Sequence, residues 1–156
     1  MVAFSAFPGV LVGPLVGLLA TLAMDPVMAR LPEGETAPKV AAGVLTATPI
    51  DDAPERLATW VHYVAGGGSG LLFVGLAVGI GAFGAGPAAT IAATAAVMLG
   101  LMVGFFVLVP LPRAEGVARG RLRQIRRDWA VSAGAYVLVA ALLVGVANAL
   151  VVGGGV

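Results

Sequence analysis

Every Lys and Arg of this chain falls in one of two short stretches. Arg30, Lys39 and Arg56 occupy the first; Arg113, Arg119, Arg121, Arg123, Arg126 and Arg127 occupy the second. The chain around those stretches is almost wholly apolar. A helix crossing the hydrocarbon core of a bilayer needs about 20 mostly apolar residues. Four segments qualify, at about residues 2–29, 53–83, 87–110 and 129–152. Of the 156 residues, 60% are hydrophobic and 11% charged, and Gly accounts for another 23. The mean hydropathy is +1.03. A soluble domain of this length has too little interior for that much apolar side chain and would expose it as patches. The sequence therefore predicts a single all-α membrane domain, an integral four-helix bundle. The connections at about 30–52 and 111–128 are long, and Gly84–Gly86 makes a tight turn between the second and third spans.

With four spans, the two basic stretches share one face of the membrane. The positive-inside rule makes that face cytoplasmic and puts both termini outside, in a multi-pass protein of the cytoplasmic membrane. Trp60, Tyr63 and Trp129 sit just inside the same span ends, as interfacial aromatics do. The first span lacks the basic leading region of a signal peptide, since no Lys or Arg precedes Arg30.

The connections differ in sign. Residues 30–56 set five acids against three bases, whereas residues 113–127 hold Glu115 against six bases. The basic stretch reads as a topology signal. Leu122, Ile125 and Trp129 recur at helical spacing, which predicts a basic helix over 117–128 lying on anionic headgroups through Arg119, Arg121, Arg123, Arg126 and Arg127. The sharper alternative docks it on the acidic connection or on an anionic soluble partner. No aromatic interleaving or nucleic-acid motif accompanies it, so no nucleic acid is expected as a partner. In the first connection, residues 38–45 are suited to a short interfacial helix. Asp52 with Pro54 and Glu55 reads as a capping start for the second span.

Lipid tails are as apolar as the helices, so close backbone approach has to hold a membrane bundle together. Small residues recur at fourfold spacing. Gly9, Gly13 and Gly17 form one stripe, followed by Thr21 and Asp25. Ala88, Ala92, Ala96, Gly100 and Gly104 form another; Gly66/Gly70, Gly75/Gly79 and Ala141/Gly145/Ala149 are shorter. These predict helix-packing faces, with spare ones available to a second copy or a membrane partner. The Gly66–Gly70 run suits a crowded crossing; the alternative is a local unwinding. Leu31-Pro32-Glu33-Gly34 and Leu111-Pro112 with Glu115-Gly116 hint at two repeated helical hairpins.

Polar side chains within spans are costly and default to functional candidates. Asp25 and His62 stand out. Asp25 lies about 7.5 Å inside Arg30 and His62 about 9 Å inside Arg56, on adjacent helices. Asp25 extends the first glycine stripe, and His62 shares a face with Gly66 and Gly70. A contact between them would be a structural hydrogen bond or a proton-accepting or ligand-orienting pair. Pro26 removes a donor to the Leu22 carbonyl and biases Asp25 away from helical geometry. With one His and no Cys there is no metal-ligand cluster, no catalytic residue set is evident, and no cofactor is expected.

Gly17-Leu-Leu-Ala-Thr-Leu-Ala-Met-Asp-Pro-Val-Met28 and His62-Tyr-Val-Ala-Gly-Gly-Gly-Ser-Gly70 resemble the small four-span membrane proteins of archaea and bacteria of the YagU type. The resemblance covers residues 9–75 and implies a polytopic membrane protein without an assigned activity. The Lys-poor, Ala- and Val-rich usage fits a GC-rich genome, for example a haloarchaeon. The leading expectation is a non-enzymatic structural or accessory protein that self-associates. The alternatives are an oligomeric transporter or channel element using Asp25 and His62, and a membrane redox carrier or enzyme.

Overall fold

The computed structural model describes the backbone of residues 6–153 and the side chains of residues 12–150. Five α-helices and two short 3-10 turns make up the described chain: α1 Ala6–Met28, α2 Thr36–Thr46, α3 Glu55–Gly81, α4 Pro87–Leu108 and α5 Arg119–Gly153, with 3-10 turns at Ile50–Asp52 and Leu111–Arg113. The fold is all-helical. Among the described residues, three stretches are long and apolar enough to cross a membrane: Glu55–Gly81, Pro87–Arg113 and Arg119–Leu150. The apolar stretch described for α1, Val12–Met28, is shorter.

α1 packs along α3 on one side and α5 on the other; α4 closes the ring by packing on α5 and α3. The shared core holds Met24, Phe73, Met98, Tyr136 and Val144. Large apolar side chains elsewhere on the same helices face outward, among them Leu15, Leu22, Leu72, Leu101, Phe105 and Leu142. An outward apolar shell around a packed apolar core is the distribution a lipid solvent requires.

The tightest crossing is α1 on α3. A Cβ added at Gly13 would lie 2.7 Å from the Leu71 Cα, and one at Gly17 would run into the Gly66 carbonyl and the Gly70 backbone. Backbone thus lies on backbone, and only glycine leaves room for it. Gly9 lies outside the residues whose surroundings are described. The stripe of α4 behaves differently. Ala88, Ala92, Ala96 and Gly100 are exposed, and a Cβ added at Gly100 or Gly104 would meet nothing. Within the chain, Ala96, Gly100 and Gly104 therefore line no helix crossing. α4 turns Thr90, Thr94, Met98 and Phe106 inward instead. Fourfold spacing defines a face, but it does not say which face meets a neighbour.

Three further expectations change. α3 starts at Glu55 with Pro54 before it and no side-chain cap, because Asp52 is taken up in the 3-10 turn. α1 runs through Pro26 without breaking: the Ala29 amide reaches the Asp25 carbonyl at 2.9 Å, so Asp25 stays helical. The basic stretch is not a separate surface helix. It is the first part of α5, which runs unbroken for 35 residues. α3 also passes through Gly66–Gly70 as continuous helix.

Both long connections lie at the same end of the molecule and pack on each other. α2, anchored by Val40, sits with Ile50, Leu111 and Ile125 in a second small core, and Trp129 stacks beside Phe106 with ring centroids 5.0 Å apart. The Ile50 amide donates to the Glu115 carbonyl at 3.1 Å, joining one connection to the other.

Candidate functional site

Asp25 projects from the last turn of α1 and His62 from the second turn of α3. His62 Nε2 lies 2.8 Å from Asp25 Oδ1. The neighbouring Tyr63 hydroxyl donates to Asp25 Oδ2 at 2.6 Å. One carboxylate thus takes a partner on each oxygen, both from α3. The glycine crossing one to three turns below explains the approach: with backbones in contact at Gly17 and Gly66, side chains of ordinary length bridge the helices at the level of Asp25. The His62 side chain is 11% exposed and that of Asp25 35%. His62 is therefore the more enclosed member of the cluster and Asp25 the more open one.

Two cavities meet at His62. The first is a cleft of about 400 Å³ between α3 and α4. These helices touch near their shared turn, where Gly81 faces Thr90. Towards the other end the cleft separates them. Its walls are Ala65, Ser69 and Leu72 on one side and Leu101, Met102 and Phe105 on the other, with Pro38 and Ala41 of α2 across the end. Among its polar groups, the Tyr136 hydroxyl is committed to the Gly66 carbonyl at 2.7 Å, and the Trp129 indole N–H to the Met102 carbonyl at 3.2 Å. His62 is left as the ionisable side chain on its wall. The second cavity, of about 580 Å³, mixes apolar wall with more polar groups than the first: Asp25, Glu35, Lys39, Glu55, Thr59 and Tyr63 line it beside Met28 and Ala58, and His62 and Pro38 are common to both.

At the loop-bearing end, the sequence contained a second polar centre that charge counting passed over. Asp128 is buried. Its Oδ2 accepts the Glu33 amide at 2.8 Å and its Oδ1 accepts Gln124 Nε2 at 2.7 Å. The signal was present as an acid among bases, with Gln124 four residues before it. Glu33 in turn meets Arg121 through two hydrogen bonds, Nε to Oε1 at 2.8 Å and Nη2 to Oε2 at 3.0 Å, while Arg121 Nη1 reaches Asp51 at 3.4 Å. That paired arrangement, with Thr36 donating to the same carboxylate, holds the Glu33 carboxyl below its ordinary range against the opposing effect of burial. Arg121, expected at the headgroups, is thus turned to the acidic connection. Arg119, Arg123, Arg126 and Arg127 are exposed.

Among the described residues, no group of three or more His, Cys, Asp or Glu side chains stands together as a metal site would need. Comparison with family models, with curated proteins and with solved structures returns no match to this chain.

Proposed function

We propose that the protein is a four-span accessory protein of the cytoplasmic membrane, with both termini outside, that takes the chain of a membrane amphiphile into the cleft between α3 and α4. This is a binding role without chemistry. The observation that carries it is the cleft itself: about 400 Å³, walled by apolar side chains of two long apolar helices, and bordered at the connection end by α2. A pocket of that size suits an alkyl chain. Counting α1 as a fourth crossing rests on its 23 residues, about 34 Å of helix, packed against α3 and α5. The positive-inside rule supports the orientation, since the described connections carrying every Lys and Arg share one end. The outward small stripe of α4, including Ala96, Gly100 and Gly104, supports self-association through that face.

A transport reading is supported by one observation, the Asp25–His62–Tyr63 cluster beside the second cavity. It ranks second, because the interior between α1, α3 and α5 is filled by Met24, Phe73 and Tyr136.

The test uses fluorescence. Trp60 is exposed and Trp129 lines the cleft, and these are the two tryptophans of the chain. In a Trp60→Phe background, lipids with brominated chains should quench Trp129. Ala65→Phe, which places a ring in the cleft, should reduce that quenching by about half or more, on the basis that a filled pocket excludes its ligand. Quenching that is unchanged by the filling substitution would remove the cleft as a binding site.

A further inference from the structure

We infer that the amphiphile is a bilayer lipid whose head carries an ammonium group beside its phosphate, and that the second cavity next to the cleft receives that head. The inference rests on the cleft reading and adds the chemistry of recognition. Its basis is the junction of two unlike cavities. His62 and Pro38 line both, so a chain in the apolar cleft would have its polar end at the second cavity. An apolar slot that shares a wall with a chamber carrying charged side chains matches the two parts of an amphiphile.

The charge of the chamber selects the head. Three carboxylates line it, from Asp25, Glu35 and Glu55, against one ammonium from Lys39. Asp25 is already occupied by His62 and Tyr63 on its two oxygens. Glu35 and Glu55 are exposed, and they are the carboxylates left to meet a ligand. A purely anionic head would face both of them with Lys39 as the one cation in the lining and Arg30 held back on the Pro26 carbonyl at its edge. A head with phosphate and ammonium satisfies both signs: Lys39 faces the phosphate, and Glu35 and Glu55 face the ammonium. The exposed arginines Arg119, Arg123, Arg126 and Arg127 all belong to α5 and none of them lines this chamber. Anionic lipid attracted by that basic segment and zwitterionic lipid in the chamber would therefore occupy different places.

The test is carried out on the full chain in lipid nanodiscs, in the Trp60→Phe background. Chain-brominated phosphatidylethanolamine and chain-brominated phosphatidylglycerol, with identical acyl chains, are each introduced as a minor component. The expected result is an apparent association about three- to tenfold stronger for the ethanolamine lipid, read from Trp129 quenching, as suits partly solvated ion pairs. The Glu35→Gln, Glu55→Gln double variant should erase that preference while keeping the quenching. Both positions are exposed, so the fold is not at stake. Equal quenching by the two lipids in the parent, or a preference that survives the double substitution, overturns the head assignment and leaves the cleft standing. Failure of both lipids to quench removes the cleft and the head site together.

Discussion

A hydroxyl inside an apolar bundle has to find an acceptor, and Tyr136 finds one on another helix. Its ring is fully buried and its hydroxyl reaches the Gly66 carbonyl, so it ties α5 to the glycine run of α3. Removing the hydroxyl in Tyr136→Phe should cost about 1 kcal/mol, the usual worth of such a bond in a membrane. Denaturation in mixed micelles reads that change. Asp128 carries more, because its carboxylate receives a backbone amide from one connection and a side-chain amide from its own helix. A different kind of residue effect occurs at Ala47, which ends α2 with a φ of +52°. Side chains rarely adopt this left-handed conformation, and Gly does so freely. Ala47→Gly should therefore raise stability by about 0.5–1 kcal/mol in the same measurement.

At the level of elements, the two long small-residue stripes separate cleanly. The stripe of α1 is buried in backbone contact with α3; that of α4 looks out. A side chain at Gly17 has nowhere to go, because the atoms it would meet are the main chain of α3. Gly17→Val should therefore force the helices apart, at a cost of about 3 kcal/mol or more. Gly100→Ala meets open space and replaces Gly with a better helix former, so it should leave the monomer intact or stabilise it slightly. Thermal melting of the two variants in detergent checks the contrast. α5 shows how one helix serves two environments. Its first turns put Ile125 into the small core under α2 and spread arginines over the outside, and its remainder enters the bundle. Leu122, Ile125 and Trp129 do share a face, as the spacing indicated, but that face meets protein.

For the whole molecule, the connection end is a built layer. α2 is held by Glu33, which pairs with Arg121 and is positioned through Asp128. The folded carboxyl of Glu33 titrates below its ordinary value of 4.5. Its pairing therefore contributes stability that is fully present above about 4.5, and that is lost as pH falls through the lower folded value. Hydrogen-exchange protection across α2, taken relative to the unprotected rate at each pH, should fall on acidification in that range, and Glu33→Gln should flatten the response while lowering protection at neutral pH. Topology is also accessible. Single cysteines placed at Leu45 and at Gly120 should react with an impermeant reagent from the same side of a sealed vesicle, since both connections occupy one end.

The sequence by itself determined the helical class, the long apolar helices, the connections gathered at one end, and the depth match of Asp25 and His62. Each of these follows from hydropathy, charge position and the fixed rise of a helix, which are properties of single segments. It also named Gly13, Gly17, Gly66 and Gly70, because glycines spaced by four leave a bare strip on whichever helix carries them. The tertiary structure alone decided which strip is used. It also decided that Tyr63 joins Asp25, that Asp128 and Arg121 turn to the acidic connection, and that α3 and α4 diverge to leave a cleft. These depend on the rotation and crossing of helices about one another. Where lipid and side chain are equally apolar, hydropathy says little about that rotation, and close packing and paired polar groups settle it.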